Sequence, residues 1–391
     1  MKNFVLISKD AMCTDYLPTY GNTCWHTPNI DELAAKGTVF RNHYTAAPST
    51  VMAFYAMAMG NWPYETKYEM YERVHERVEG ETAFSRLRDK GYECHLIWDE
   101  EWMVLLKYYD YYREDIKIHA LDGLRQGVGS HYIHEGFLVP DPKKTERAWN
   151  TVEAELEKIF SGNKNNIFLW IHFPHVINGY TSYGGDIEAF DRFVGLIRRF
   201  AEDDCIAVTA DHGNQNGHKG KIGYAFDVYQ ESVRIPLITP NYHNISDYYK
   251  ATSNIDLFEI IFGNVKEREY IYVDTAYRAQ KQRKLAIIYD HYKYVYTKAD
   301  RREELFDLDF DRSEEFSVMD DYVYDPDRKI LAPSRELYYY PHWDALPAIR
   351  QRMREEKDRI WKEGSTAVVL KSGLKELIKP VYRRIRKKKL Q

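Results

Sequence analysis

Apolar and polar positions alternate along the first two thirds of the chain in blocks whose periods switch between strand and helix. Phe4 to Ile7 is a short apolar run closed by Ser8-Lys9-Asp10 and is expected to be a buried strand. A helix is expected from about Thr27-Pro28-Asn29-Ile30, with Thr27 as N-cap, Pro28 in the first turn and Gly37 closing it. A strand-like run covers Thr38 to Tyr44, and a helix runs from about Thr50 through Met59 to Gly60. A helix over about 82–90 stops at Gly91, before the run Cys94 to Trp98. The pattern repeats as helix 145–160, strand Ile167–His172, helix 186–202 and strand Ile206–Ala210. Strands alternating with helices imply an α/β three-layer sandwich with a mostly parallel central sheet. Ligands of such sheets sit at the carboxyl ends of the strands, where Asp10, His172 and Asp211 fall.

The texture changes beyond about residue 265. Tyr270 to Val273, Leu285 to Tyr289 and Tyr292 to Tyr296 read as antiparallel strands joined by turns. The expected division is an α/β domain over 1–265, a small antiparallel subdomain over 266–330, and a helical extension over 331–391. That extension ends in the basic segment Arg383 to Lys389. The basic segment reads as a solvated tail or as an attachment to an anionic membrane or acidic glycan, each basic residue near lipid contributing about 1 kcal/mol.

Bulk composition narrows the function classes. With 44% hydrophobic residues the chain can build a large core, and a formal net charge of −5 argues against nucleic acid as a partner. The 33 tyrosines and 8 tryptophans serve the core first, although such rings also stack on sugars. Cys13, Cys24, Cys94 and Cys205 have no metal-type or redox-type spacing and read as reduced thiols. No export signal and no window long enough to span a bilayer is visible, so a cytoplasmic protein, either soluble or peripheral to a membrane, is expected.

Three segments carry candidate chemistry. Asp10 directly follows an apolar strand; Pro48-Ser49-Thr50 opens a helix; and Val208 to Gly213 places Asp211 and His212 at a strand end, with His218 beyond. Two carboxylates, an imidazole and a hydroxyl can ligate a divalent cation. Such a cation would lower the pKa of the hydroxyl and offset charge on a phosphoryl or sulfuryl oxygen. Each segment alone also has an ordinary reading as a turn or a cap.

Taken in order, these segments resemble the sulfatase family of the alkaline phosphatase superfamily. The likeness is carried by Asn3 to Ile7 with Asp10, by Tyr20-Gly21, and by Thr27-Pro28-Asn29-Ile30-Asp31 with Leu33 and Gly37. It continues in Val208 to Gly213, in Tyr229-Gln230-Glu231 with Val233-Arg234 and Pro236, and in Leu305 to Leu308 with Asp311 and Glu314. It implies an alkaline phosphatase-like α/β domain, a smaller C-terminal α+β subdomain, and a metal held by Asp10, Thr50, Asp211 and His212. The departures matter as much. The segment 46–58 holds neither the Cys nor the Arg of the sulfatase signature, and counting back from Gly60 puts the nucleophile on Thr50, as in phosphoglycerol and phosphoethanolamine transferases; Ser49 is the alternative. Asp99 and Glu101 stand where sulfatases bind sulfate through Lys and His, and Ala11 replaces an acidic ligand of the calcium site. Mn2+ or Zn2+ is therefore expected ahead of Ca2+. The resemblance adds His175 and His218 as catalytic candidates, with His172 and Lys221 against the substrate. The expected enzyme is a phosphodiesterase or phosphotransferase on a phosphorylated or sulfated small molecule, or on a cell-surface glycan or its precursor. The alternatives are sulfate ester hydrolysis without formylglycine and an inactive glycan- or protein-binding member.

Overall fold

Eight strands build the central sheet of the computed structural model, which describes residues 2–65, 80–100, 115–124, 131–134, 137–161, 166–174, 183–275 and 282–361. In chain order they are β1 (Phe4–Lys9), β2 (Thr38–Phe40), β3 (Glu93–Asp99), β4 (Lys117–Leu121), β5 (Ile167–Phe173), β6 (Ile206–Ala210), β7 (Leu237–Thr239) and β8 (Asp247–Tyr248). Their order across the sheet is β8-β2-β7-β6-β1-β5-β3-β4. Only β7 runs against its neighbours β2 and β6. Every residue of β1, β5 and β6 is buried, as central parallel strands covered on both faces require.

Period-2 alternation sorts the two faces. Val5, Ile7, Leu169 and Ile171 point into a core shared with α1 (Pro28–Lys36), α4 (Pro142–Phe160) and α5 (Tyr183–Ile197). Leu6, Phe168 and Trp170 point the other way, against α2 (Thr50–Met59) and α3 (Ala83–Asp89). This is the three-layer arrangement expected from the alternation of elements.

A second, antiparallel sheet follows: β9 (Tyr270–Asp274), β10 (Lys284–Tyr289), β11 (Tyr292–Thr297) and β12 (Arg302–Asp307), each strand pairing with the next. Its core includes Ile271, Leu285, Tyr294 and Leu305, and is covered by a helix over 346–361 that brings in Met353 and Ile360. The basic segment Arg383 to Lys389 lies outside the described residues. No helix among the described residues is long and apolar enough to cross a membrane. All four cysteines are free.

Several local expectations are corrected. The run Thr38 to Tyr44 is broken after Phe40, and His43–Tyr44 pairs separately with Thr252–Ser253. Helix α5 stops at Ile197, and Asp203–Cys205 forms a separate 3-10 turn. Thr27 occupies the N-cap but its side chain caps nothing; its hydroxyl bonds Asp31 Oδ2 at 3.3 Å. The orphan N–H groups are taken instead by Asp191 of α5, which accepts from Ile30 N at 2.8 Å and Asn29 N at 3.3 Å.

Candidate active site

Strands β1 and β6 are parallel neighbours in the register Lys9↔Ala210, so the residues that follow them, Asp10 and Asp211, emerge side by side at one sheet edge. Asp10 N is tied to Phe173 O of β5 at 2.8 Å. Asp211 Oδ1 accepts from His212 N at 2.7 Å and from Ala11 N at 3.1 Å. Ala11 reaches that carboxylate in a left-handed conformation, φ 57°, which a residue with a Cβ adopts at some cost.

His212 is oriented by its own turn. Its Nδ1 lies 2.8 Å from Gly213 O, a group that can only accept, so Nδ1 carries the proton and Nε2 of the neutral ring a lone pair. Gly213 is required at that position because a Cβ would sit 2.0 Å from Glu231 O. His212 Nε2 faces Thr50 Oγ1 at 3.2 Å, Asp10 Oδ1 at 3.4 Å and Asp211 Oδ2 at 3.5 Å. Thr50 is the first residue of α2, whose end is closed by Gly60 at φ 67°. Tyr224 packs on His212 with ring centroids 4.6 Å apart, and Ala225 N bonds Pro48 O at 2.7 Å, so the loop after His212 folds back onto the start of α2.

Asp10, Asp211 and His212 offer ligand atoms lying within 4.8 Å of one another, and all three are fully buried. Buried carboxylates need a countercharge. Lys9 supplies one cation from the α5 face; it is buried, and desolvation lowers its pKa against the fields of Asp186, Asp10 and Asp211. Among the described residues Asp211 Oδ2 makes no hydrogen bond, and the His212 lone pair points to the same space. The donor set, carboxylate oxygens with one imidazole nitrogen and a hydroxyl, fits a divalent cation.

The other candidates lie outside this ligand cluster, His172 beside it and His218 and Lys221 farther along the chain. His172, on β5, is 1% exposed and bonds Ser8 Oγ through Nδ1 at 2.8 Å. Burial pushes its pKa down to about 4. His218 sits on the loop after His212; its ring packs edge-on against Tyr229 and its Nε2 lies 3.5 Å from Glu315. Lys221 is engaged by Asp227, which also holds Lys284 at 2.7 Å, so its charge is already met within the protein. Asp99 is buried at the end of β3, while Glu101 and His175 lie outside the described residues. Sequence reasoning passed over Lys9, because a lysine closing an apolar run reads as the point where a strand meets solvent. It also passed over Tyr224 and Asp186, which meet the site only through the fold.

Comparisons with known proteins agree with this architecture. Residues 2–120 match the family model described as Sulfatase. The chain is similar to an arylsulfatase of Clostridium perfringens (strain 13 / Type A), 30% identical over 156 residues, which is 39% of this chain and 28% of that protein's length. Its fold is similar to that of the phosphonate monoester hydrolase of Agrobacterium radiobacter, at TM-score 0.64 and 15% identity over 93% of this chain and 96% of that one. It is also similar in fold to a Vibrio parahaemolyticus protein of the alkaline phosphatase superfamily, at TM-score 0.53 and 14% identity over 95% and 86% of the two chains.

Proposed function

We propose that the protein is a sulfatase-like member of the alkaline phosphatase superfamily, and a metal-dependent phosphoester hydrolase or phosphotransferase whose nucleophile is Thr50. The observation that carries the proposal is the hydroxyl of Thr50, 3.2 Å from His212 Nε2, a nitrogen that itself lies 3.4 and 3.5 Å from the buried carboxylates of Asp10 and Asp211. Asp10, Asp211, His212 and Thr50 would hold the cation, which when bound lowers the pKa of the hydroxyl it touches and offsets charge on the transferred group. Thr50 Oγ1, its proton released to solvent, forms a bond to phosphorus as the ester P–O bond breaks, giving a phosphothreonine. The leaving oxygen takes a proton from His175 or His218. Attack by water releases phosphate from a monoester substrate, or a phosphate monoester from a diester, and returns the Thr50 hydroxyl; attack by a sugar hydroxyl completes a transfer instead. The substrate is a phosphorylated small molecule or glycan, and the basic C-terminal segment would keep the enzyme at an anionic surface.

A second reading, sulfate ester hydrolysis, is favoured by the family model and the arylsulfatase relative. The absence of Cys and Arg from 46–58, and the carboxylates Asp99 and Glu101, weigh against it. Turnover of a nitrophenyl phosphodiester and of nitrophenyl sulfate, each with Mn2+ or Zn2+, separates the readings. Phosphodiester cleavage is expected to dominate and to fall by at least roughly 10³-fold in Thr50→Ala with the melting temperature unchanged. A Thr50→Ala enzyme as active as the parent would refute the nucleophile.

A further inference from the structure

Among the described residues, seven of the twelve large apolar side chains that stand exposed fall between Phe310 and Tyr339. A hairpin lies within that stretch. Strand β13 (Tyr322–Asp325) pairs antiparallel with β14 (Ile330–Pro333) in the register Tyr322↔Pro333, Val323↔Ala332 and Tyr324↔Leu331. Partners across such a pair share a face, and successive residues alternate between faces. Ala332 is buried, so its face is turned inward; Tyr322, Tyr324 and Leu331 stand on the other, at 61, 61 and 70% exposed. Concentrated apolar surface marks a docking place, and a two-stranded hairpin is marginal until a face is covered.

The rim of this face is acidic. Between Glu315 and Asp344 seven carboxylates stand against three basic side chains. Arg328 and Arg335 are already engaged by Asp325, Glu336 and Asp344, while exposed Asp320 and Asp327 have no ion pair among the described residues. The chain itself carries the complement. Residues 362–391, outside the described residues, hold ten basic side chains and two acidic ones. The formal net charge of −5 is therefore the balance of a body at −13 and a tail at +8. Among the tail's lysines stand Leu370, Leu374, Leu377, Ile378, Val381 and Ile385, apolar side chains that gain by burial against aromatic surface. Reach is sufficient. The root of the hairpin is held to the start of the 346–361 helix, where Arg350 Nη1 meets Asp321 at 2.7 Å and Arg350 Nε donates to Val318 O at 3.0 Å. That helix ends at Trp361, which packs on Tyr296 and under Arg283. From Arg350 to Trp361 it rises about 17 Å, which about five extended residues retrace. Most of the tail is left over to lie on the hairpin.

We propose that the segment from Leu370 to Lys389 docks on the outer face of the β13–β14 hairpin of its own chain. Its basic side chains meet Asp320 and Asp327, and its apolar ones cover Tyr322, Tyr324 and Leu331. An anionic surface competes for the same lysines and arginines, so attachment there and docking here exclude one another. The aromatic face is uncovered only when the tail leaves it.

The test is carbodiimide coupling of the full-length protein, which joins a lysine amine to a carboxylate it touches, with loss of water. An equal mixture of 14N and 15N protein separates links within a chain from links between chains. At low salt, mass spectrometry is expected to find lysines between Lys371 and Lys389 joined to Asp320 or Asp327 within one chain. The links should fade in 1 M NaCl, where the screening length drops to about 3 Å, and in the triple variant Lys387→Glu, Lys388→Glu, Lys389→Glu. Tyr324→Ser combined with Leu331→Ser removes the apolar half of the contact and should lower the yield roughly tenfold. Both positions are exposed, so the melting temperature is expected to stay unchanged. Links only between 14N and 15N chains would assign the face to a second copy and overturn the inference. So would the absence of any link at low salt, or an undiminished yield in the Tyr324→Ser, Leu331→Ser protein.

Discussion

In the C-terminal sheet, buried charges close on one another. Lys293 Nζ lies 2.7 Å from Glu314 Oε1 with both side chains fully buried, and Glu314 Oε2 accepts from Gln230 N at 2.6 Å. Arg283 meets Asp274 at 2.6 Å, and Lys284 meets Asp227 at 2.7 Å. At the carboxyl edge of the main sheet the same kinds of group are buried just as deeply but left facing shared space. There, among the described residues, Asp211 Oδ2 and His172 Nε2 make no hydrogen bond, and Lys9 Nζ has no hydrogen-bond partner either. Burying an ionised group costs several kcal/mol unless a partner offsets it. Closed pairs offset that cost at once. Open ones keep it outstanding until something else arrives, and this distinguishes a structural charge cluster from a candidate site.

Breaking one closed pair gives the largest expected effect on stability. Lys293→Met leaves Glu314 buried without its cation and should cost about 3–5 kcal/mol in urea unfolding, with turnover per folded molecule retained. Little loss of stability would mean that the two regions do not differ as described.

Filling the open cluster gives the next effect. Mn2+ or Zn2+ at a hundred times its Kd should raise stability by about 2.7 kcal/mol, read as a rise in melting temperature. Asp211→Asn should abolish that increment and, without metal, leave the protein as stable as the parent or about 1 kcal/mol more so, because it removes one buried negative charge. A metal response that survives Asp211→Asn would place the cation elsewhere.

The smallest effect is graded. Burial pushes His43 down to about 3 and His172 to about 4, below the ordinary 6.5 of an exposed ring. Both folded-state values are depressed, so the unfolded chain binds protons first. The stabilising contribution is complete above pH 6.5 and is lost as the pH falls from 6.5 toward 4 and then 3. The expected slope is about 1.4 kcal/mol per pH unit for each group, measured by denaturation at stepped pH. His43→Asn should halve the combined slope between pH 6.5 and 4 and remove it between pH 4 and 3.

The alternation of elements, and the strand ends at Asp10 and Asp211, could be read from the chain because they are local. An apolar run closed by a carboxylate, or a Thr-Pro pair opening a helix, is written within a few residues. The Ser-Thr start of α2 was legible for the same reason, and so was the change of texture after residue 265. Harder to read was anything that depends on which strands become neighbours. The cap of α1 comes from Asp191, some 160 residues away, and displaces the local choice of Thr27.

Only the sheet order β6-β1-β5 brings Asp211, Asp10 and His172 to one edge, and only its register sets Ser8 against His172. Lys9 and Ser8 are adjacent in the chain, yet the pleat turns one toward α5 and the other toward α2. The sequence by itself determined which groups could carry chemistry and roughly where each strand ends. Tertiary structure decided which of them share a low-dielectric space, because pairing across strands is a contact between distant segments that no local pattern encodes.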